Sequence, residues 1–234
     1  VTLRPAWLGK RVLPKRPDGF GEVRPTPKIL RNRRLPTVDL LPAPTTKTFR
    51  ATITHVPNEV VKRSTYRQKC PVSLDQLSYI QMTFWGFDHL PHTGEMIVNA
   101  TVADDIVGVF KQLYEAHFPI EEMRVVRREE VNEPPTGDTN VTSSFECRQV
   151  TLGTTWSQHS YGLAIDINPF HNPYARGDIV APERASAYVD RSWVRPGMVI
   201  EGDVVTQAFD ALGWGWGGRW NSLRDWMHFS QNGH

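Results

Sequence analysis

The sequence predicts an α+β fold: a central antiparallel sheet with flanking helices, preceded by a Pro/Arg-rich N-terminal extension. Three observations carry this. Helical and strand-like stretches interleave along the chain, the links between them late in the chain are of hairpin length, and the first 50 residues lack any period. At 234 residues the chain suits one ordinary domain plus an extension and can bury a sizeable core.

Residues 1–50 contain Pro5, Pro14, Pro17, Pro25, Pro27, Pro36, Pro42 and Pro44, which break any helix. The segment reads as an extended, partly polyproline arm that either wraps the domain or leads away from an anchor. Residues 49–56 alternate as a short strand would. Ser73 with Gln76 is a capping-box signature, and Leu74, Leu77, Ile80 and Phe84 then recur at helical spacing, so a helix is expected up to Gly86. Residues 95–99 read as a strand. Thr101 and Asp104 open the clearest helix, with Val102, Ile106, Val109, Phe110 and Leu113 on one face and Pro119 as its stop. Strands are expected at 123–126 and 160–168, a polar loop over 127–144, and a short helix over 203–212. The run Gly213–Gly218 forms an aromatic-walled turn.

The net charge of +2 hides an asymmetry. Residues 1–50 hold 12 Lys/Arg against 3 Asp/Glu, and the remainder 15 against 22. A basic arm on an acidic body suggests an anionic contact: an envelope polymer, lipid headgroups or the body itself. A solvated tether is the plainer reading. Nucleic acid is not expected as a partner, because Trp7 and Phe20 are the only aromatics before Phe49. No apolar run approaches the about 18 residues that span a bilayer. Two cysteines, Cys70 and Cys147, leave a disulfide, buried thiols or ligands open.

The chemistry concentrates in two stretches. His159 and Asp166 stand seven residues apart with Gly162 between them, and Asp225 stands three residues before His228. Two His and one Asp are three ligands of the kind zinc accepts in catalytic sites, where a fourth position stays open. Asp225 is then free as the acid/base group. On a flat strand, residues seven apart face opposite ways, so the chain must bend near Gly162, which tolerates positive φ. Asp225 and His228 likewise need a turn or bulge at Trp226–Met227. Each residue alone is better read as a packed histidine or a capping aspartate; the two-part pattern is what carries the reading.

That pattern, Ser157, His159, Gly162, Ala164, Asp166, then Asp225 and His228, resembles the zinc peptidases of the D-alanyl-D-alanine carboxypeptidase family. The match is to its vancomycin-resistance-type and L-alanyl-D-glutamate peptidase-like members, which share the hedgehog/DD-peptidase fold. The likeness runs from about Cys70 to Ser230 through Gly94-Glu95, Cys147-Arg148, Asn172-Pro173-Tyr174 and Gly213–Gly218. It implies a basic arm over residues 1–65 and a catalytic domain over 66–234.

The resemblance further implies Zn2+ on His159, Asp166 and His228, Asp225 as acid/base, and Arg148 as the charge that faces the oxyanion. Arg148 read alone is a surface ion pair. Ser157 binds the substrate's terminal carboxylate or caps a turn. Trp216 and Trp226, with Trp214 and Trp220, line the cleft, though core packing explains Trp214 equally. Family members tend to use Glu where Asp225 stands, one methylene longer. An extracytoplasmic bacterial enzyme is implied, and with it a Cys70–Cys147 disulfide, stabilising by about 4 kcal/mol through loop closure. The implied activity is hydrolysis of peptidoglycan stem peptides by a monomer, as a D-alanyl-D-alanine carboxypeptidase. The alternatives are an L-alanyl-D-glutamate endopeptidase, or a non-catalytic envelope-binding module with structural zinc. A further reading has the arm covering the cleft and holding the enzyme latent.

Overall fold

The computed structural model describes residues 3–131, 133–150 and 153–234. Its largest sheet is antiparallel, in the order β1 (Ala51–His55), β2 (Leu77–Trp85), β3 (Pro91–Asn99), with Leu77 opposite Asn99 and Trp85 opposite Pro91. A short helix, α1 (Asn58–Arg63), links β1 to β2. Helix α2 (Ala103–Glu115) lies against β2, burying Ile106, Val109, Phe110 and Leu113 as their spacing requires. It stops before Pro119, which cannot continue a helix.

The helix expected over residues 74–84 is one turn followed by β2. The capping pair is present, the Ser73 amide donating to Gln76 Oε1 at 3.0 Å, but it caps only residues 74–76. Both faces of β2 are buried. Ile80, Met82 and Phe84 join the core under α2, whereas Leu77 and Tyr79 pack with Val60, Ile97 and Phe145. Two interleaved period-2 stripes put apolar residues three and four apart, which imitates a helix.

The strand expected at 123–126 reduces to β4 (Glu122–Met123), paired in parallel with β5 (Val141–Thr142). Two further three-stranded sheets follow. One has the order β6 (Ala164–Asp166), β11 (His228–Ser230), β9 (Gly215–Trp216). The other has the order β10 (Arg224–Asp225), β7 (Tyr174–Arg176), β8 (Ile179–Ala181). Helix α3 (Val204–Asp210) is capped by Asp203, whose Oδ1 accepts from the Val205 and Thr206 amides. Among the described residues no helix is long and apolar enough to cross a membrane.

The expected boundary at residues 65 and 66 does not mark a structural break, because β1 is a full strand of the main sheet and α1 gives Val60 to the core. The chain before β1 wraps the body. Leu13, Leu30 and Leu35 are buried, the last two against Phe170, Ala185 and Tyr188. Arg33 is buried too. Its Nε and Nη2 donate to the two oxygens of buried Glu121, each at 2.7 Å, and its Nη1 donates to the Asp138 carbonyl at 2.8 Å. Arg4 reaches Glu121 and Glu122, and Arg16 reaches Asp178. These basic residues of the arm are thus paired with carboxylates of the body.

Candidate functional site

The site lies where β6, β11 and the turn at residues 158–161 meet. Asp166 and His228 are directly opposite in the antiparallel β6–β11 pair, so their side chains share a face. His159 arrives from the preceding turn. Ser157 opens that turn, its Oγ accepting from the His159 amide at 3.3 Å, and Gly162 closes it at φ 67°. A Cβ at Gly162 would fall 2.5 Å from Asn99 N, and the Gly162 carbonyl accepts from that same amide at 2.9 Å. Only glycine supplies both the left-handed backbone and the close approach to β3. The strand expected over 160–168 is accordingly shorter, with Ile165 and Ile167, which alternate with Asp166, buried in the core.

His159 Nε2 and His228 Nδ1 are 3.2 Å apart. Asp166 lies 3.3 Å from each, Oδ2 toward His159 and Oδ1 toward His228. Among the described residues this is the one group of three metal-capable side chains that converges. Ligand atoms on a tetrahedral zinc, bonded at about 2.0–2.1 Å, are separated from one another by roughly 3.3 Å. The donor set also suits that ion. His159 Nδ1 is 2.7 Å from the Ser144 carbonyl, so it carries the proton and leaves the Nε2 lone pair facing the cluster. His228 Nε2 is buried without a partner among the described residues. Burial works against the Asp166 carboxylate, but the charges and hydrogen bonds of His159 and His228 hold it far below its usual range. Burial lowers His159 in turn, and Asp166 more than offsets this and raises it.

Asp225 ends β10 and is joined to β11 by the turn at Trp226–Met227. Its Oδ1 is buried with no partner among the described residues. Burial pushes its carboxyl up to about 7; the His228 charge opposes this and the Asp166 charge adds to it. Arg148 Nε pairs with Glu146 Oε2 at 2.8 Å. Burial works against its charge, but Glu146, Asp166 and Asp225 together outweigh that and raise it, which places all three carboxylates within its field. Ser160 Oγ, fully buried, donates to the Arg148 carbonyl at 2.6 Å and ties that segment to the His159 turn.

The aromatic residues divide. Trp216, expected on the cleft wall, is 5% exposed and stacks on Phe229 in the core, its Nε1 donating to the Trp226 carbonyl at 2.9 Å. It is a core residue because β9 sets it opposite Phe229, on which its ring packs in the main core. Trp214 is also core. Trp226 is half-buried with the Arg191 guanidinium over its ring, and Trp220 lies beside His228, ring centroids 5.5 Å apart. Cys70 and Cys147 form a disulfide that ties the chain before β2 to the segment carrying Arg148. Sequence reasoning missed Glu146 and Ser144. Glu146 had a signal, since residues two apart on extended chain share a face. The Ser144 carbonyl has none, because its side chain takes no part.

The family model described as D-alanyl-D-alanine carboxypeptidase matches residues 151–231, about a third of the chain. No curated protein and no solved structure matches the chain. The family match and the disulfide are consistent with a place outside the cytoplasm. The matched span contains His159, Asp166, Asp225 and His228, the residues that the fold gathers, and it supports a peptidase of the D-alanyl-D-alanine carboxypeptidase family.

Proposed function

We propose that the chain is a zinc-dependent peptidase that removes the terminal D-alanine of peptidoglycan stem peptides outside the bacterial cytoplasm, on a hedgehog/DD-peptidase fold. One observation carries the reading: His159 Nε2 and His228 Nδ1 are 3.2 Å apart and each is 3.3 Å from an oxygen of Asp166, with the orphaned Asp225 carboxylate nearby. Zinc held by His159, Asp166 and His228 would supply Lewis acidity toward the scissile carbonyl and toward water.

The remaining work falls to the chain. Asp225 takes a proton from the attacking water as its oxygen bonds to the carbonyl carbon. When the C–N bond breaks, Asp225 returns that proton to the leaving nitrogen. Burial raises this carboxyl above the ordinary Asp value near 3.9, toward the range in which one group both accepts and donates at neutral pH. Arg148, fixed by Glu146, supplies positive charge to the developing oxyanion. Of the two roles expected for Ser157, its Oγ fills that of the turn cap, accepting from the His159 amide.

The test is chelation, zinc restoration and mass analysis of defined stem peptides. Zinc-dependent loss of one alanine supports the carboxypeptidase. Release of whole stem peptides would instead assign the L-Ala–D-Glu bond. Stoichiometric zinc with no cleavage of either would leave a binding module.

A further inference from the structure

Strand β7 carries two polar side chains that the chemistry above does not use. Tyr174 is directly opposite Asp225 in the β10–β7 pair. Opposed residues of antiparallel strands project from one face with Cβ atoms about 4.5–5.5 Å apart. Arg176, two residues on, projects from the same face. Burial raises the Tyr174 phenol, the Arg176 charge lowers it and the Asp225 charge raises it, so both charged groups act on this ring. Among the described residues, neither the Tyr174 hydroxyl nor the Arg176 guanidinium has a hydrogen-bond or ion-pair partner.

The nearest carboxylate along the chain, Asp178, is already engaged: Arg16 Nη1 and Nη2 reach its two oxygens at 2.9 and 3.2 Å. The arm also holds the ring itself. Phe20 stacks on Tyr174 with centroids 6.2 Å apart and planes 10° from parallel. The Arg16–Phe20 turn is closed by the Arg16 amide donating to the Phe20 carbonyl at 2.7 Å. It is pinned to the body where the Gly21 amide donates to buried Glu183 at 2.9 Å.

We propose that Tyr174 and Arg176 form a carboxylate subsite beside Asp225, which binds the free C-terminal carboxylate of the residue being released, and that Phe20 and Arg16 position it. This rests on the peptidase reading. The group that returns a proton to the leaving nitrogen must lie beside the leaving residue, whose α-carboxylate is two bonds from that nitrogen. A neutral O–H donor next to an unpaired guanidinium is a fitting pair for such an anion. The subsite selects a chain end over an internal peptide bond, and it gives the N-terminal arm a part in specificity.

The experiment uses the zinc-loaded full chain. Calorimetry compares N-acetyl-D-alanine with its C-terminal amide, and hydrolysis compares a stem-peptide fragment ending in D-Ala-D-Ala with the amidated fragment. Wild type is expected to favour the free carboxylate by at least about 10-fold in both. Tyr174→Phe, which keeps the stacked ring, and Arg176→Gln should each erase most of that preference with zinc content unchanged. Phe20→Ala should weaken it and Phe20→Tyr restore it. An acid and an amide treated alike by wild type, or a preference that survives both substitutions, overturns the subsite. Carboxylate preference in binding with no hydrolysis of any peptide supports the subsite and sinks the peptidase reading instead.

Discussion

Replacing Arg33 with Met tests whether the arm is part of the folded body. Arg33 is 2% exposed and meets Glu121, itself fully buried, through two hydrogen bonds of 2.7 Å. Removing one partner of such a pair leaves an uncompensated charge in the interior and costs about 3–5 kcal/mol. Arg4, 3.3 Å from Glu121, and Asn140, which donates to it at 2.8 Å, remain and hold the loss toward the lower end. Urea unfolding should therefore show Arg33→Met about 3 kcal/mol less stable than wild type. Arg33→Met combined with Glu121→Gln, which removes the stranded charge and keeps an acceptor for Asn140, should recover at least half of that.

The deficit should also depend on pH. Burial raises Glu121, but the charge and hydrogen bonds of Arg33 outweigh it and hold the carboxyl below its usual range. A carboxyl depressed in the folded state contributes stability that is complete above its unfolded value, about 4.3, and is lost as pH falls through the folded one. The gap between wild type and Arg33→Met should thus narrow as pH falls, starting above about 4.3 because burial without Arg33 raises the variant's carboxyl, and ending once the wild-type carboxyl is protonated. A loss under about 1 kcal/mol at neutral pH, or a double variant no better than the single, would refute the argument.

Three other outcomes follow from the same geometry. Burial lowers His171 to about 3, so between that value and about 6.5 the unfolded chain binds a proton that the folded one does not. Wild-type stability should fall in that window as pH drops, by up to about 1.4 kcal/mol per pH unit from this group, measured by thermal unfolding against pH. Asp225→Asn should keep zinc stoichiometry, because Asp225 is outside the ligand set, and should lower hydrolysis by about 100-fold or more; retained turnover would reject its acid/base role. Gly162→Ala should cost at least about 2 kcal/mol, from the left-handed backbone and the contact with Asn99, and should weaken metal binding because the His159 turn moves.

The legible parts of the chain were those where one local rule decides. The α2 stripe needs only its own helical period, and Gly162 between His159 and Asp166 marks a bend on stereochemical grounds alone. Residues 74–84 were not legible in this way, since the period of a strand covered on both faces depends on what covers it. Val60 and Phe145 on one side and α2 on the other are brought there by the rest of the fold. The convergence of His159, Asp166 and His228 was readable as a pattern; the Ser144 carbonyl beside His159 Nδ1 was not, because any residue supplies a carbonyl. Trp216 shows the converse. A glycine-rich aromatic run suggests a wall, but β9 sends this indole into the core.

The arm, finally, decides between two pictures of residues 1–36. A latent enzyme covered by a detachable tether should gain activity when that segment is cut away. The structure argues for the opposite result. Leu13, Leu30 and Leu35 are buried, and each contributes about 1.5–3 kcal/mol, so their loss alone removes about 5–9 kcal/mol. That is comparable to the whole stability of an ordinary domain, about 5–15 kcal/mol. Glu121 is stranded besides, since Arg33 and Arg4 go with the segment, and its amide donates to Asn168 Oδ1, two residues beyond Asp166. Deleting residues 1–36 should therefore give an aggregating or loosely packed chain with poor zinc retention. A truncated chain that melts like the full one and hydrolyses faster would show that these contacts are dispensable and that the arm is a cover.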